Sequence, residues 1–200
     1  MRFIQMIVVL EVLCLLIACH SDGLEQKAYL HYLGEEKNGL RMLQKAGDYE
    51  LVVTYQPADL MTLRELGGVP TSQDEFRKTK RNFSDLQYYQ LTIRAANGKD
   101  LLQQFSIDSV QKSRAWQYYY FDMAKDVYLT HNLDTERSVL FSYDRNFGAS
   151  PFNTFSIAFK SDTSFHDVFK FVLDEKLLGI GKHEWIFKKQ DIDKIPALRL

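Results

Sequence analysis

The chain has 200 residues, and its 25 Lys and Arg nearly balance its 26 Asp and Glu, giving a formal net charge of -1. A hydrophobic fraction of 46% with 14% aromatic residues excludes a disordered chain, and two cysteines exclude a disulfide scaffold. The balanced charge excludes a general nucleic-acid binder, which needs an excess of Lys and Arg. The length indicates a single domain.

The first nineteen residues are typical of a bacterial secretory signal that ends in a lipidation site. Arg2 precedes an apolar run over residues 3–18, which is short for a membrane span. The run ends in the sequence LIAC, which matches the bacterial lipobox. There the thiol of the cysteine, here Cys19, receives a diacylglycerol, and cleavage makes that cysteine the first residue. Glu11 inside the apolar run leaves an uncleaved anchor helix as the alternative.

This interpretation divides the chain into three parts. Residues 1–18 are a signal peptide, 19–38 are a lipidated N-terminus and polar tether, and 39–200 are one β-rich domain. Cys14 leaves with the signal peptide, and the sulfur of Cys19 is blocked by lipid as a thioether to diacylglycerol. The mature chain therefore offers no thiol for a disulfide, for catalysis or for a metal.

The first predicted elements of the domain are one strand and two helices. Residues 49–55 are rich in Val and Tyr, which favours a strand. A short helix follows over 59–66. The spacing of Ser72 and Glu75 is that of a capping box and predicts a second helix over 73–83.

The middle of the chain contains the strongest turn signal. Strands are predicted over 86–96 and 101–107, and the Asn97-Gly98 pair between them is typical of a β-hairpin turn. Residues 108–125 have the Ala, Gln, Lys and Met content of a helix, although their aromatic block favours a strand.

Strands fill most of the last third of the chain. Residues 152–160 alternate, with Phe155, Ile157 and Phe159 on one face. We predict an α+β or mostly β domain, with an antiparallel sheet or sandwich of seven or eight strands and two or three helices, because strands follow one another without regular helical crossovers. The later strands are predicted over 127–131, 139–143, 152–160, 168–173 and 184–188.

Motifs for catalysis are absent from the sequence, including the nucleophile elbow, the zinc helix and the EF-hand loop. The five histidines are scattered, so no local metal site is encoded, and we predict no catalytic residue, metal or cofactor. An envelope hydrolase stays open as an alternative, with a site assembled from distant Asp, Glu and His side chains, and clustered carboxylates with perturbed pKa values would favour it. The histidines are His20, His31, His131, His166 and His183.

The most aromatic stretch, WQYYYF at residues 116–121, contains the candidate contact residues Trp116, Tyr118, Tyr119 and Tyr120. Exposed rings here could anchor a protein partner or stack on sugars. A glycan-binding module is therefore a second alternative, and it requires two or more exposed coplanar rings. One helix or strand cannot point all four side chains at one partner, so we expect most of them in the core.

Ser109 is a candidate modification site. The triplet Asp108-Ser109-Val110 resembles the sequon for O-glycosylation of exported proteins in Bacteroidetes. The simpler explanation is that Asp108 or Ser109 caps the predicted helix.

Several short motifs, in their order along the chain, are similar to those of a family of uncharacterised Bacteroidetes lipoproteins. After Cys19 come NGL at residues 38–40, Tyr55-x-Pro57-x-Asp59-Leu60, DVYL at 126–129 and GIG at 179–181. The resemblance implies an exported, lipid-anchored protein.

From the lipobox and this resemblance we expect a non-enzymatic binding or structural module in the bacterial cell envelope, at the outer membrane. Whether it faces the periplasm or the surface stays open. The expected partners are the lipid bilayer, through the acylated Cys19, and an envelope protein or glycan, with no nucleic acid.

Overall fold

The computed structural model describes residues 23–68, 70, 72–105, 108–132, 134–144, 150–161 and 167–200. The predicted signal peptide, the predicted lipidation site Cys19 and two of the histidines, His20 and His166, lie outside these residues. The predictions that concern them are therefore not addressed by the fold.

Antiparallel strands dominate the described part of the chain, as predicted. One sheet has the strand order β2-β3-β4-β8-β7, another the order β10-β9-β5-β6, and β1 pairs with β11 in parallel. The strands are β1 (Leu24–Glu25), β2 (Arg41–Ala46), β3 (Tyr49–Gln56), β4 (Leu86–Ala95), β5 (Val127–His131), β6 (Asp134–Arg137), β7 (Leu140–Asp144), β8 (Phe152–Lys160), β9 (Val168–Glu175), β10 (Gly181–Lys188) and β11 (Leu198–Arg199).

The two large sheets pack against each other through aromatic rings. The ring of Tyr89 on β4 lies 5.4 Å from Phe171 on β9 and 5.3 Å from Phe187 on β10. The alternation predicted for β8 is confirmed, because Phe155, Ile157 and Phe159 are all buried in this core. Edge-to-face ring contacts of this kind add to the free energy of burial and fix the spacing of the sheets.

Helices are more numerous than predicted, five among the described residues against the two or three expected. The additional ones are short or lie near the ends of the described chain. They are α1 (Gln26–Gly34), α2 (Ala58–Glu65), α3 (Gln73–Lys80), α4 (Ser109–Gln117) and α5 (Lys189–Asp193).

The polar segment predicted as a tether over 19–38, with a short helical turn at 27–33, is folded from Leu24 onward, and the predicted turn is confirmed as part of α1. α1 buries Tyr29 and Leu33 in a small core with Leu40 and Leu60, and β1 pairs with β11. The mostly polar composition of this segment conceals two apolar residues at i and i+4, the spacing that places both on one helical face.

The strand predicted over 101–107 is also wrong, since Leu101–Phe105 is a 3-10 helix. Gly98 takes the positive φ of the predicted turn, at 70°. The chain then leaves the sheet because the Asp100 carboxylate accepts a hydrogen bond from the amide of Leu102 at 2.7 Å. Asn153 Oδ1 accepts another from the amide of Leu101 at 3.1 Å. Local side-chain bonds of this kind compete with strand pairing.

Candidate functional site

The site begins at the N-terminus of α4, where Asp108 is the capping residue. Its carboxylate accepts a hydrogen bond from the amide of Val110 at 2.9 Å. Ser109 is the first residue of the helix and is exposed. Of the two candidates for the helix cap, the structure has Asp108. The carboxylate of the sequon-like triplet is therefore bonded to a helix amide.

At its other end, α4 continues into a π-helical turn over Tyr118–Asp122 and then a 3-10 turn over Met123–Lys125. The predicted helix over 108–125 is thus confirmed, with three kinds of helical hydrogen bonding. A π-helical turn shifts the residues after it around the helix axis. Here the wider turn divides the aromatic stretch between core and surface.

Three rings of this stretch form a surface cluster, which we call the aromatic patch: Trp116, Tyr120 and Phe121. Trp116 is 43% exposed and Phe121 is 55% exposed. Trp116 stacks on Tyr120 with ring centroids 4.6 Å apart and an angle of 29°, and Phe121 lies 5.6 Å from Trp116 at 55°. Exposed apolar clusters of large residues mark interaction sites more often than scattered single residues do.

Edge strand β7 supports the patch from below. The rings of Tyr120 and Tyr143 meet edge to face at 5.1 Å. The Tyr143 hydroxyl donates to Asn153 Oδ1 at 2.8 Å, and the Tyr143 ring stacks on Phe155 at 4.7 Å. Tyr120 is therefore fixed by a buried residue on one side and by Trp116 on the other, so the patch is preorganised.

A buried carboxylate, Glu175 at the end of β9, fixes the π-helical turn from inside. It is 2% exposed. Its oxygens accept hydrogen bonds from the amide of Leu177 at 3.0 Å, the amide of Leu178 at 2.6 Å and the hydroxyl of Tyr119 at 3.3 Å. The hydroxyl of Tyr118 accepts from the amide of Lys176 at 3.2 Å. Both inward-facing tyrosines are thus tied to the β9–β10 turn.

Burial dominates the electrostatics of this network. It raises the pKa of Glu175, against the two amides and Tyr119, which lower it. Burial also raises the pKa of Tyr119 far above its ordinary range, and the nearby Glu175 carboxylate adds to that shift. Tyr119 therefore stays a neutral hydrogen-bond donor at any physiological pH.

Positive charge precedes the patch along α4. Lys112 lies four residues before Trp116 within α4, so the two side chains share a helical face, and Arg114 lies two residues before Trp116. Both are exposed, and neither forms an ion pair within the described residues. The patch thus joins an apolar surface to two available cations.

The structure divides the candidate contact aromatics, most of which were expected in the core, between the core and the surface. Tyr118 is 7% exposed and Tyr119 is 0% exposed, so these two belong to the core. Trp116 and Tyr120 do lie at the surface, and Phe121, which was not a candidate, is the most exposed of the three patch rings. Sequence alone could not assign Phe121, because an ordinary α-helix and a π-helical turn place it differently.

A glycan platform requires coplanar rings side by side, and the patch does not provide them. Trp116 and Tyr120 lie on top of each other, so the pair offers sugar only its outer faces, and Phe121 is tilted away from both. The patch is therefore a stacked pair of rings with a tilted third ring beside it, and not a flat aromatic face.

The hydrolase alternative depends on clustered Asp, Glu and His side chains, and the described residues bear on a metal-dependent form of it. These residues contain no group of three or more His, Cys, Asp or Glu side chains placed to hold a metal. His131 is engaged by the carbonyl of Val168 at 2.7 Å and by Asn132, also at 2.7 Å. Glu175 has the raised pKa of a general acid, but it is sealed from solvent.

Comparisons with known proteins leave the family open. No family model matches the chain, and no curated protein matches it. A crystal structure of a DUF4426 family protein from Pseudomonas aeruginosa is similar over 80% of this chain and 97% of that chain, at 11% identity and a TM-score of 0.34. Within the described residues, no helix has the length and apolar character that crossing a membrane requires.

Proposed function

We propose that this protein is a lipid-anchored binding module of the bacterial envelope that holds a protein partner on its aromatic patch. The observation that carries the proposal is the exposure of Trp116 and Phe121 on a support of buried hydrogen bonds. Trp and Tyr dominate the energetics of protein interfaces, and rigid rings lose little conformational entropy on binding.

The lipid anchor rests on the lipobox ending at Cys19, and the position of the patch is consistent with it. α1 and β1 pack near Tyr55 and Ile192, at one end of the sheets. The residues beneath the patch bond to Asn153 and Glu175, where β8 begins and β9 ends, at the other end. An anchored chain would therefore hold the patch away from its own membrane.

In-cell photo-crosslinking tests the partner. A photoreactive phenylalanine analogue replaces Phe121 in one variant and Ile186 in a control, because Ile186 is equally exposed, at 52%, but lies on β10. We expect a discrete crosslinked protein from position 121 that is absent from position 186. Trp116→Ala in the same chain should remove it, since truncating an interface Trp commonly costs about 2 kcal/mol or more.

Two results would contradict the proposal. Equal crosslinking from positions 121 and 186 would mean that the patch has no privileged partner. Mass spectrometry of the membrane-extracted protein tests the anchor separately, by the presence of a diacylglyceryl group on Cys19. A chain whose Cys19 carries no diacylglyceryl group would show that Cys19 is not a lipidation site.

A further inference from the structure

The chain joins the folded domain beside β11, and this position has a consequence for the membrane face of the protein. Leu24 and Glu25 pair with Leu198 and Arg199. Gly23 lies so close to Ala197 that a Cβ at Gly23 would come within 2.5 Å of its carbonyl oxygen. We propose that the surface formed by α3 and β11 docks on the anionic headgroups of the bilayer that anchors the protein. This inference rests on the proposed lipid anchor.

The available length of chain brings this surface to the bilayer. Gly23 is the fourth residue after Cys19. Four fully extended residues span at most about 14 Å. An acylated Cys19 lies at the headgroup level, so this short connection lets the surface beside β11 approach within one Debye length, about 8 Å at physiological salt, of the lipid charges. Within that range, the charge on the neighbouring elements affects how the domain is oriented on the bilayer.

α3 is the element beside β11, and its second half is strongly basic. A hollow of about 420 Å³ lies between the two elements and is lined by Phe76, Arg77, Lys80, Leu198 and Arg199, among others. Residues 77–81 read RKTKR, which places four cations within five positions. The acidic residues of α3 are confined to its first turn. The helix therefore collects its positive charge toward one end.

Several of these cations are available to a ligand. Lys80 contacts Asp59 at 2.5 Å, and Arg199 contacts Glu25 at 2.7 Å. By contrast, Arg77 bonds only to the neutral Gln73, at 3.1 Å. Lys78 and Arg81 form no ion pair with any described residue, and both are exposed.

An apolar side chain completes the surface. Leu200 lines the same hollow and is 45% exposed. Cations around an exposed Leu are the combination that favours the bilayer interface, where phosphate groups meet the first methylenes. Acidic proteins could also bind cations, but the attachment of the chain at β11 holds this surface against lipid and not against a distant partner.

The experiment places a fluorescent reporter on each end of the acylated protein. The sequence has cysteines only at 14 and 19, so a new cysteine is the only free thiol of the acylated, processed chain. Asn82→Cys carries the label next to the basic segment, and Gln111→Cys carries it on α4. The acylated proteins are reconstituted into vesicles that contain a headgroup-quencher lipid and either phosphatidylcholine alone or phosphatidylcholine with phosphatidylglycerol.

We expect strong quenching at position 82 in the phosphatidylglycerol vesicles, weak quenching there in neutral vesicles, and little at position 111 in either. The triple variant R77Q/K78Q/R81Q should lose the anionic effect. Each Lys or Arg near an anionic surface contributes a factor of about five, so three together change the docked-to-undocked ratio about 100-fold. The matched control K99Q/K112Q/R114Q removes the same charge from the other end and should quench like the unmodified protein.

Flotation with neutral vesicles separates the two proposals, since it reports the acyl anchor without docking. A protein that floats but is quenched equally at position 82 in both vesicle types overturns the docking and leaves the anchor. The docking is likewise overturned if R77Q/K78Q/R81Q is quenched as strongly as the control. A protein that does not float with neutral vesicles overturns the anchor, and the docking with it.

Discussion

Replacing Glu175 by alanine should destabilise the fold by about 2–4 kcal/mol, because one buried and two half-buried hydrogen-bond donors depend on its carboxylate. The amides of Leu177 and Leu178 lose their acceptor, and so does the hydroxyl of Tyr119. A buried donor left without an acceptor costs about 1–3 kcal/mol, and water can reach the two half-buried leucine amides in part. Alanine carries no charge that folding must remove from water, and this difference offsets some of the lost free energy of unfolding.

Urea unfolding at pH 7 measures this change, with Glu175→Gln as the matched control. Glutamine keeps one carbonyl acceptor at the same place, so its loss should be less than half of that caused by alanine. Tryptophan fluorescence reports on the core through the buried Trp185 and on the aromatic patch through Trp116. Freeing Tyr119 should alter the Trp116 signal of the folded state. A loss below about 1 kcal/mol for Glu175→Ala would refute the supporting role.

The pH dependence of stability provides an independent check on Glu175. Burial raises its pKa above the ordinary value of 4.5, so the folded state retains the proton to a higher pH than the unfolded chain. The contribution of this group is therefore fully present below its unfolded pKa and is lost as pH rises through the folded pKa. The free energy of unfolding of the unmodified protein, relative to Glu175→Gln, should fall as pH rises above about 4.5. An increase would mean that the amides outweigh burial.

Three further changes separate binding from folding. Trp116→Ala should lower the free energy of unfolding in urea by less than about 1 kcal/mol, because the ring is largely at the surface. A larger loss would mean that the patch is a part of the core. Asp108→Ala should cost about 1 kcal/mol as a lost helix cap, whereas Ser109→Ala should cost less than half of that, and equal losses would contradict the capping geometry. Tyr29→Phe should leave stability unchanged or raise it, because the buried Tyr29 hydroxyl has no hydrogen-bond partner in the described structure; a loss above about 1 kcal/mol in thermal unfolding would contradict this.

The elements that the sequence predicts well are those whose signals are local. The alternation of β8 can be recognised from neighbouring residues. The Asp108 cap binds the amide two residues later, and the Ser72 cap binds the amide three residues later. Ser72 Oγ indeed accepts from the amide of Glu75 at 3.1 Å. Antiparallel pairing followed from the order of strands and short connections.

The elements that the sequence does not predict depend on distant partners. Asn153 lies 52 residues from the Leu101 amide that it binds, and that bond helps to turn a predicted strand into a 3-10 helix. The π-helical turn depends on Glu175, which lies 56 residues from the Tyr119 hydroxyl. The aromatic patch could therefore be located to a six-residue stretch, but its membership could not be assigned from the stretch alone.

The pairing of β1 with β11 also sets the order in which the fold can close. The Arg199 guanidinium binds the Glu25 carboxylate across 174 residues of chain. Closing so long a loop lowers the entropy of the chain before the contact can stabilise it. The pairing of β1 with β11 is therefore expected to form late in folding. While the polypeptide emerges from a ribosome or a translocon, β1 cannot pair until residues 198 and 199 have emerged. The segment that follows the proposed anchor is thus the last to pair, and under the proposed export it would pair only after the rest of the chain has been translocated.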